Sequence, residues 1–344
     1  MNIKVPDILA DPFGERSAVG MHRDMHLLGA GIRFESNSEE LLRLVDSAYA
    51  GLPRHRLGRV TPQLRVRLTL TTPERRRKRA HAEPDPLQMM SGAGLVAAAT
   101  GASSFMVVSP ENRGALVAVT PRMLRFPYHT RYELIEFAVF TLASRVQGLV
   151  PLHGACVGRP GRGVLLLGPS GAGKSTVTLQ CLLEGLGFLA EDSVYVVPDT
   201  LLATGVSSFL HARADSLGWI AERSRVTKIR KSRIIVRRSG VRKYEIDLRG
   251  GDYQLAERPM KLGAVVFLSS ERALDGHMLK PLSPAKALPM LVQEQAYAAG
   301  QPSWAAFERS VTRLPFFELR RGRHPSEAVA VLRELIGSPS RAGR

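Results

Sequence analysis

One segment of the chain, VLLLGPSGAGKST at residues 164–176, constrains the fold more than any other. Its four leading apolar residues predict a buried strand, and the next eight match G-x-x-x-x-G-K-[ST] at every fixed position. The glycines allow positive φ angles, so the loop can turn its N–H groups toward an anion. A helix that follows directly would point its positive N-terminus at the same anion. The segment therefore predicts a strand–loop–helix unit that binds the phosphates of a nucleotide.

Individual residues of this loop have distinct expected roles. Lys174 places a cation where it can bridge the outer phosphates, and the hydroxyl of Ser175 can bind Mg²⁺. A plain glycine-serine turn is the alternative, but such a turn would not require Lys-Ser at this offset. The candidate nucleotide-binding residues are Gly168, Pro169, Ser170, Gly171, Ala172, Gly173, Lys174, Ser175 and Thr176.

The length of 344 residues allows one large or two ordinary domains. No apolar stretch reaches the roughly 20 residues that a membrane span needs. The N-terminus has acids and prolines where a signal peptide needs an apolar core. The two cysteines, Cys156 and Cys181, form no ligand pattern. We expect a cytoplasmic protein without a membrane partner.

The chain is strongly basic, with 48 Lys and Arg residues against 31 Asp and Glu residues and a formal net charge of +17. Two clusters carry much of this charge: RRRKR at residues 75–79, and residues 223–243, which contain no acid. Such surfaces attract an acidic peptide, a nucleotide or, non-specifically, nucleic acid. Aromatic residues do not interleave with the basic runs, so nucleic acid is not the expected partner.

The residues before 126 predict a small α+β domain, with a candidate role in recruiting the substrate. Asn37 is the expected N-cap of a helix that extends to residue 52, with Glu40 completing a capping box. Residues 73–86 are expected to form a basic loop. The predicted strands are at residues 26–35, 65–71, 103–108 and 115–120.

Residues 126–337 predict a second, catalytic α/β domain, followed by a disordered tail at 338–344. An apolar helix at 128–147 leads into it, and residues 223–243 are expected to form a mobile connection or ribbon. The predicted strands are at residues 150–157, 164–167, 188–190, 194–197, 207–211, 234–237 and 264–268. The predicted helices are at residues 174–186, 285–297 and 327–335.

Two acids, Glu191 and Asp192, follow Lys174 by 17 and 18 residues and end a predicted strand one helix away. In a doubly wound sheet such a strand end lies beside the phosphate loop. A carboxylate there can hold Mg²⁺ or accept the proton of an attacking hydroxyl. A pair of surface turn acids is the alternative.

The strand at 264–268 ends in serines rather than the acid of a typical ATPase, and the sequence contains no transporter or GTPase signature.

The stretch LHGACVGRPGRGVLLLGPSGAGKSTVTLQCLLEGLGFLAEDSVYV, residues 152–196, resembles the catalytic core of the HPr kinase/phosphorylase family, and more closely its bacterial HPr-kinase-related branch. The resemblance implies a P-loop kinase domain with a mixed sheet and flanking helices, which uses ATP and Mg²⁺. It also implies that His153 lies near the phosphates and that Asp192 is the general base toward an acceptor serine. Glu191 stands where the family usually has Asp, which implies a role toward Mg²⁺.

Two positions depart from the family pattern. Thr176 stands where HPr kinases usually carry Glu, and the downstream signature with its magnesium-binding Glu is absent, so Asp215 is a candidate substitute. The resemblance implies an ATP-dependent kinase of a serine on a protein or ribosomal peptide, such as an HPr-like protein or a lasso-type precursor. An acidic substrate is favoured.

Other functions remain open on sequence alone: a kinase of free serine, a catalytically silent ATP-binding switch, and a nucleic-acid-stimulated ATPase. The basic run at 223–243 allows three interpretations, namely a solvated loop, a phosphate clamp or a substrate dock. Its candidate phosphate contacts are Lys228, Arg230, Arg237 and Arg238. The sequence also leaves open whether the protein forms a homo-oligomer.

Overall fold

The computed structural model describes residues 20–71, 83–101, 103–273 and 276–337. These residues divide into two compact units. Unit 1 contains residues 20–25, 32–47 and the described part of 65–139, and unit 2 contains residues 26–31, 48–64 and the described part of 140–337. The predicted basic cluster at 75–79 and the predicted tail at 338–344 lie outside the described residues.

Unit 1 is built on a seven-stranded sheet in the order β1-β2-β3-β7-β6-β5-β4. The strands are β1 (Met21–Leu27), β2 (Ala30–Ser36), β3 (Gln63–Leu70), β4 (Leu87–Gly92), β5 (Leu95–Thr100), β6 (Ser104–Ser109) and β7 (Gly114–Val119). Helix α1 (Glu39–Tyr49) buries Leu41, Leu42 and Val45 completely. The described residues of this unit thus include strands and a helix, and the predicted small α+β domain stays a prediction.

Two sequence predictions for the N-terminal part of the chain are wrong in detail. The strand predicted at 26–35 is a hairpin, because Leu28 and Gly29 adopt φ angles of 50° and 82° and reverse the chain. The α1 cap is Ser38, whose Oγ accepts a hydrogen bond from the Leu41 N–H at 3.4 Å. The side chain of Asn37 instead accepts from the Leu70 N–H at 2.8 Å and donates to the Leu70 carbonyl at 3.1 Å.

The apolar segment after β7 is helical, as predicted, but it is not one regular helix. It comprises α2 (Pro121–Leu124), α3 (Pro127–His129), a π-helical segment (Thr130–Glu136) and α4 (Phe137–Gln147). The domain boundary predicted at residue 125 stays a prediction, since the compact units divide within α4.

A larger sheet forms the centre of unit 2, in the order β11-β9-β10-β17-β13-β12-β8, and β19 and β18 extend it from β17. Its strands are β8 (Val150–Leu152), β9 (Ala155–Arg159), β10 (Arg162–Leu167), β11 (Gly187–Ala190), β12 (Val194–Val196), β13 (Leu202–Gly205), β17 (Met260–Arg272), β18 (Leu279–Leu282) and β19 (Phe316–Arg321). β10 runs parallel to β17 and antiparallel to β9. The predicted mixed sheet is confirmed.

Helices cover both faces of this sheet. The core on one face includes residues of α5 (Lys174–Leu183) and α10 (Pro325–Gly337). The core on the other face includes residues of α7 (Pro284–Glu294), α8 (Ala296–Ala299) and α9 (Trp304–Val311). α5 is shorter than the predicted helix at 174–186, because Gly185 turns the chain with a φ of 80° and Gly187 already begins β11.

The sheet is curled, and the curl positions two connections side by side. Only two residues join β8 to β9 and three join β11 to β12, although these strands lie at opposite ends of the sheet order. So few residues span only about 10 Å, and the ends of the sheet must therefore approach each other. Val194 pairs with Leu152 and Ala190 pairs with Cys156, so residues 153–154 and 191–193 meet at one corner.

A three-stranded sheet in the order β14-β16-β15 lies in the same unit. Its strands are β14 (Phe209–Ala212), β15 (Arg233–Val236) and β16 (Arg242–Asp247), and helix α6 (Arg223–Arg230) precedes β15. The basic run at 223–243 is therefore a helix and a hairpin, and the predicted mobile connection is corrected. The ribbon alternative is right for β15 and β16.

Candidate active site

The glycine-rich loop between β10 and α5 has the backbone that its sequence predicts. Gly168, Gly171 and Gly173 adopt φ angles of 141°, 85° and 106°. A Cβ atom on Gly168 would lie 2.9 Å from the Leu268 carbonyl oxygen, so a larger residue would displace the loop from β17. Gly173 caps α5 in a left-handed conformation. The loop thus leads directly into a helix N-terminus, which favours anions.

Lys174 lies inside this loop and is buried. Its Nζ donates hydrogen bonds to the Gly168 carbonyl and, at 3.4 Å, to the Pro169 carbonyl. Burial lowers the pKa of Lys174, while the nearby charges of Asp192 and Glu294 act in the opposite direction. Burial is the larger effect, so the pKa of this loop lysine lies below its usual value.

Strand directions explain why the acid pair meets the loop. β11 and β10 are both antiparallel to β9, so they run parallel to each other and end at the same edge of the sheet. Gly168 follows the last residue of β10, and Glu191 follows the last residue of β11. The structure therefore brings the two predicted acids beside the loop, although β9 separates their strands.

Glu191 is buried and accepts hydrogen bonds from two donors. Its Oε1 accepts from the Ser175 hydroxyl at 2.5 Å, and its Oε2 accepts from the His211 N–H at 2.7 Å. Burial would raise the pKa of Glu191, but the hydrogen bond and charge of His211 outweigh burial and lower it. Glu191 is thus an ionised carboxylate joined directly to the first turn of α5.

His211, on β14, lies between Glu191 and Glu245, a contact that the sequence analysis missed. Its Nδ1 is 3.4 Å from the Glu191 carboxylate, and its Nε2 is 3.3 Å from the Glu245 carboxylate. Burial alone would lower the pKa of His211, but the two carboxylates raise it to about 9. The group is therefore an imidazolium at neutral pH. No local motif indicates it, because the three residues come from separate strands.

Asp192 lies between two basic side chains and is 27% exposed. Its carboxylate is 3.4 Å from His153 Nδ1 and 3.2 Å from Arg237 Nη2. Burial would raise the pKa of Asp192, but His153, Arg237 and Lys243 outweigh it and lower the pKa. Asp192 therefore carries a negative charge at neutral pH and can accept a proton.

His153 lies in the connection between β8 and β9, not on a strand as predicted. The side chain of Gln295 fixes its backbone: it accepts from the His153 N–H at 2.7 Å and donates to the His153 carbonyl at 3.0 Å. The imidazole is more than half exposed and faces Asp192. The close pairing of β8 with β12 and of β9 with β11 brings the two residues together.

The structure distinguishes among the basic residues of 223–243. Arg237 reaches Asp192, whereas Lys228 forms an ion pair with Asp252. Lys243, which the sequence did not single out, is half-buried, and its charge acts on Glu191 and Asp192. The signal was weak, because Lys243 is one of ten bases in this run.

Glu294, at the end of α7, is another residue that the sequence analysis missed. Burial raises its pKa, and a hydrogen bond from the Gly168 backbone and the charge of Lys174 oppose that effect.

Asp215, the candidate substitute for a magnesium-binding Glu, has a 70% exposed side chain that pairs with Arg213 at 3.6 Å. Among the hydrogen bonds and ion pairs described for Glu191 and Asp192, none involves Asp215.

A cavity of about 610 Å³ opens beside the loop. Its wall includes Gly173 and Thr176 from the loop side, Trp219, and the segment after β19 with His324. The rings of Trp219 and His324 meet edge to face with centroids 5.3 Å apart. The Thr176 hydroxyl bonds with the Ser216 hydroxyl at 2.9 Å. An aromatic, partly polar cavity next to a phosphate loop is suited to the base of a nucleotide.

No group of three or more His, Cys, Asp or Glu side chains is arranged to hold a metal ion within residues 20–71, 83–101, 103–273 and 276–337. Over the same ranges, no helix combines the length and the apolar character needed to cross a membrane.

Part of this chain is similar in sequence to a known enzyme. It is 31% identical over 110 residues to the HPr kinase/phosphorylase of Geobacter sulfurreducens, which is 31% of this chain and 32% of that protein. The chain thus matches about a third of the length of this curated relative. No protein-family model matches the chain. The resemblance to the HPr kinase/phosphorylase family is confirmed by this match.

A solved structure is also similar: the Hpr(Ser) kinase/phosphatase from Coxiella burnetii. The match covers 54% of this chain and 93% of that chain, with 10% identity and a TM-score of 0.26.

Proposed function

We propose that this chain, which resembles HPr kinase/phosphorylase, is an ATP-dependent kinase that phosphorylates a serine hydroxyl of a protein or peptide. One observation carries the proposal: the ionised carboxylate of Asp192 lies at the same corner of the sheet as the glycine-rich loop. Lys174 and Asp192 are close enough for their charges to interact. A kinase needs this combination of a phosphate-binding cation and a proton acceptor.

The loop backbone and Lys174 would bind the β- and γ-phosphates of ATP. Backbone N–H groups in a positive-φ loop and a helix N-terminus both favour phosphate oxygens. The cavity lined by Thr176 and Trp219 would take the adenine base, because it opens directly beside the same loop. Its volume of about 610 Å³ is in the range of ordinary ligand pockets.

Ser175 and Glu191 fit a magnesium ion. Mg²⁺ prefers oxygen ligands, keeps several waters, and binds through one or two protein groups together with the substrate phosphates. The hydroxyl and the buried carboxylate lie 2.5 Å apart and provide such ligands. When bound, the ion would neutralise charge on the phosphate oxygens.

Asp192 would accept the proton of the serine hydroxyl as the serine oxygen bonds to the γ-phosphorus. The bond from the γ-phosphorus to the β–γ bridging oxygen breaks, and ADP leaves. His153 and Arg237 hold the carboxylate from two sides, which orients it toward the acceptor. Arg237 and Lys243 also supply positive charge beside the transferred group.

The acceptor class is inferred from charge. Residues 223–243 contain ten Lys and Arg residues and no acid, and Arg237 within this run contacts Asp192. An acidic protein or peptide, such as an HPr-like protein or a ribosomal peptide precursor, is the substrate that complements it. Free serine would gain little from so extended a basic surface.

The test is phosphate transfer from [γ-³²P]ATP to a pool of acidic serine peptides, with free serine in a parallel assay. Asp192→Asn should abolish transfer while ATP still binds, and Lys174→Ala should weaken both binding and transfer. Asp199→Asn, at an exposed turn, is the matched control and should behave as the parent protein. Normal transfer by Asp192→Asn would refute the base assignment, and ATP binding without transfer to any acceptor would favour the silent switch.

A further inference from the structure

Strand β15 forms an open edge of the small sheet. Arg233–Val236 pairs with β16 on one side only. Across the described parts of the chain, no strand pairs with its other side. An unprotected edge is a template for an added strand, because its main-chain groups lack sheet partners.

The register fixes which main-chain groups face outward. The Arg237 N–H donates to the Val241 carbonyl at 3.0 Å, and Ile235 stands opposite Lys243. Because hydrogen-bonded positions alternate along an antiparallel pair, the N–H and C=O of Ile234 and Val236 point to the open edge. Two residues of β15 therefore present donors and acceptors to an incoming chain.

The side chains at this edge are apolar and exposed. Ile234 and Val236 are 45% and 44% exposed, whereas Ile235 between them is buried. Residues two apart on a strand share a face, so these two form a small apolar surface beside the open edge. The surface can receive alternate side chains of an extended peptide.

The surroundings of this edge are positively charged. Four exposed bases lie close to it along the chain and the sheet: Arg230 and Lys231 precede β15, Arg233 begins it, and Arg242 stands opposite Val236 on β16. The run from residue 223 to 243 contains no acid. This charge selects an acidic segment over a neutral or basic one.

The position of the edge connects it to the proposed phosphate transfer. Val236 is followed directly by Arg237, whose guanidinium lies 3.2 Å from the Asp192 carboxylate. An extended chain advances about 3.3 Å per residue. A segment paired with Ile234 and Val236 would therefore pass within a few residues of Asp192.

We propose that the open edge of β15 binds an extended acidic segment of the substrate by strand addition, next to the acceptor serine. The inference rests on the proposed kinase function, since that function supplies the reason for a serine substrate. Main-chain hydrogen bonds at Ile234 and Val236 supply affinity, and the surrounding bases select acidic sequences.

The experiment measures binding without catalysis. The probe is a fluorescein-labelled ten-residue peptide of alternating Glu and Val, and its fluorescence anisotropy is followed with the full chain. Val236→Pro removes one outward N–H while sparing the bonds to β16, because proline is tolerated at an edge position of this kind. We expect at least tenfold weaker binding to Val236→Pro and nearly unchanged binding to Val236→Ile, which keeps the N–H.

A second variant separates pairing from charge. The double variant Lys231→Glu/Arg233→Glu should also bind the peptide at least tenfold more weakly, and increasingly so at low salt. Equal binding by Val236→Pro and the parent protein would overturn strand addition, as would no detectable binding by the parent protein. Tighter binding of a 20-nucleotide single-stranded RNA at the same edge would overturn the peptide as occupant.

Two controls keep the inference distinct from the kinase proposal. ATP binding by Val236→Pro should equal that of the parent protein, which shows that the site around the loop is intact. Peptide binding needs no transfer, so a parent protein that phosphorylates a serine acceptor but does not bind the peptide would count against the edge alone. Peptide binding that survives in Val236→Ile when no acceptor is phosphorylated would support the edge and refute the kinase.

Discussion

The hydroxyl of Ser175 donates a hydrogen bond of 2.5 Å to the carboxylate of Glu191. This bond joins the first turn of α5 to the end of β11. It links the two sequence features that predicted function, the glycine-rich loop and the acid pair, in one site. Both groups offer oxygen atoms that can bind a metal ion. The hydrogen bond and charge of His211 lower the pKa of Glu191 and keep it ionised.

This pairing predicts a specific change in magnesium dependence. Ser175→Ala should raise the half-saturating Mg²⁺ concentration for transfer by about tenfold, since one of two protein oxygens is removed. ATP binding measured without Mg²⁺ should change little. Ser239→Ala, in the exposed turn after β15, is the control. An unchanged Mg²⁺ requirement in Ser175→Ala would show that this hydroxyl is not a magnesium ligand.

Replacing Glu294 is expected to strengthen ATP binding rather than to weaken the site. Its carboxyl group lies beside the Gly168 backbone and Lys174, where phosphate oxygens would bring further negative charge. Glu294→Gln should therefore bind ATP more tightly, by about three- to tenfold, because a repulsion is removed. Isothermal titration calorimetry measures this effect. Glu257→Gln, at an exposed position, should leave affinity unchanged. Weaker binding by Glu294→Gln would mean that the carboxylate supports the loop instead.

Trp219 reports on the proposed base site. It is 42% exposed, whereas the second tryptophan, Trp304, is buried. ADP should change the fluorescence of Trp219, and inorganic tripolyphosphate should not. Trp219→Ala should weaken ADP binding by about tenfold, as expected for loss of a base–aromatic contact, and leave tripolyphosphate binding unaffected. Tyr297→Ala is an exposed aromatic control. Equal losses for ADP and tripolyphosphate would place the base elsewhere.

The sequence predicted the parts of the site that are local. The loop, its helix and the acids at the end of β11 follow from the glycines, from Lys174 and from apolar runs of strand length. His153 and Asp192, both singled out from the sequence, lie 3.4 Å apart, and His153 lies in a turn rather than on a strand. In unit 1, the sequence predicted β3, β6 and β7 but missed β4 and β5.

The missed features are long-range. Glu294 lies 126 residues after Gly168, and His211 meets Glu191 through an unrelated strand. Neither position stands in a motif: β14, which contacts α5, places His211 beside Glu191, and the end of α7 places Glu294 beside the loop. The helix α6 was also missed, because its charged sequence lacks an apolar stripe.

The imidazolium of His211 predicts a change of stability with pH. The pKa of His211 is raised from 6.5 to about 9 in the folded chain. The folded state therefore binds this proton more tightly, and its contribution is fully present below about pH 6.5 and lost as pH rises through 9. The shift corresponds to roughly 3 kcal/mol at most.

Glu245→Gln isolates this effect, since Glu245 is one of the two carboxylates that hold the proton on His211. At pH 7 the variant should unfold at a lower urea concentration than the parent protein. At pH 10, where His211 is neutral in both proteins, the difference should shrink, because the ion pair no longer exists. Glu257→Gln corrects for general effects of removing a charge. Urea denaturation midpoints at pH 7, 8, 9 and 10 measure the trend. A gap between parent and variant that stays constant over this range would show that Glu245 stabilises the fold without the charge of His211.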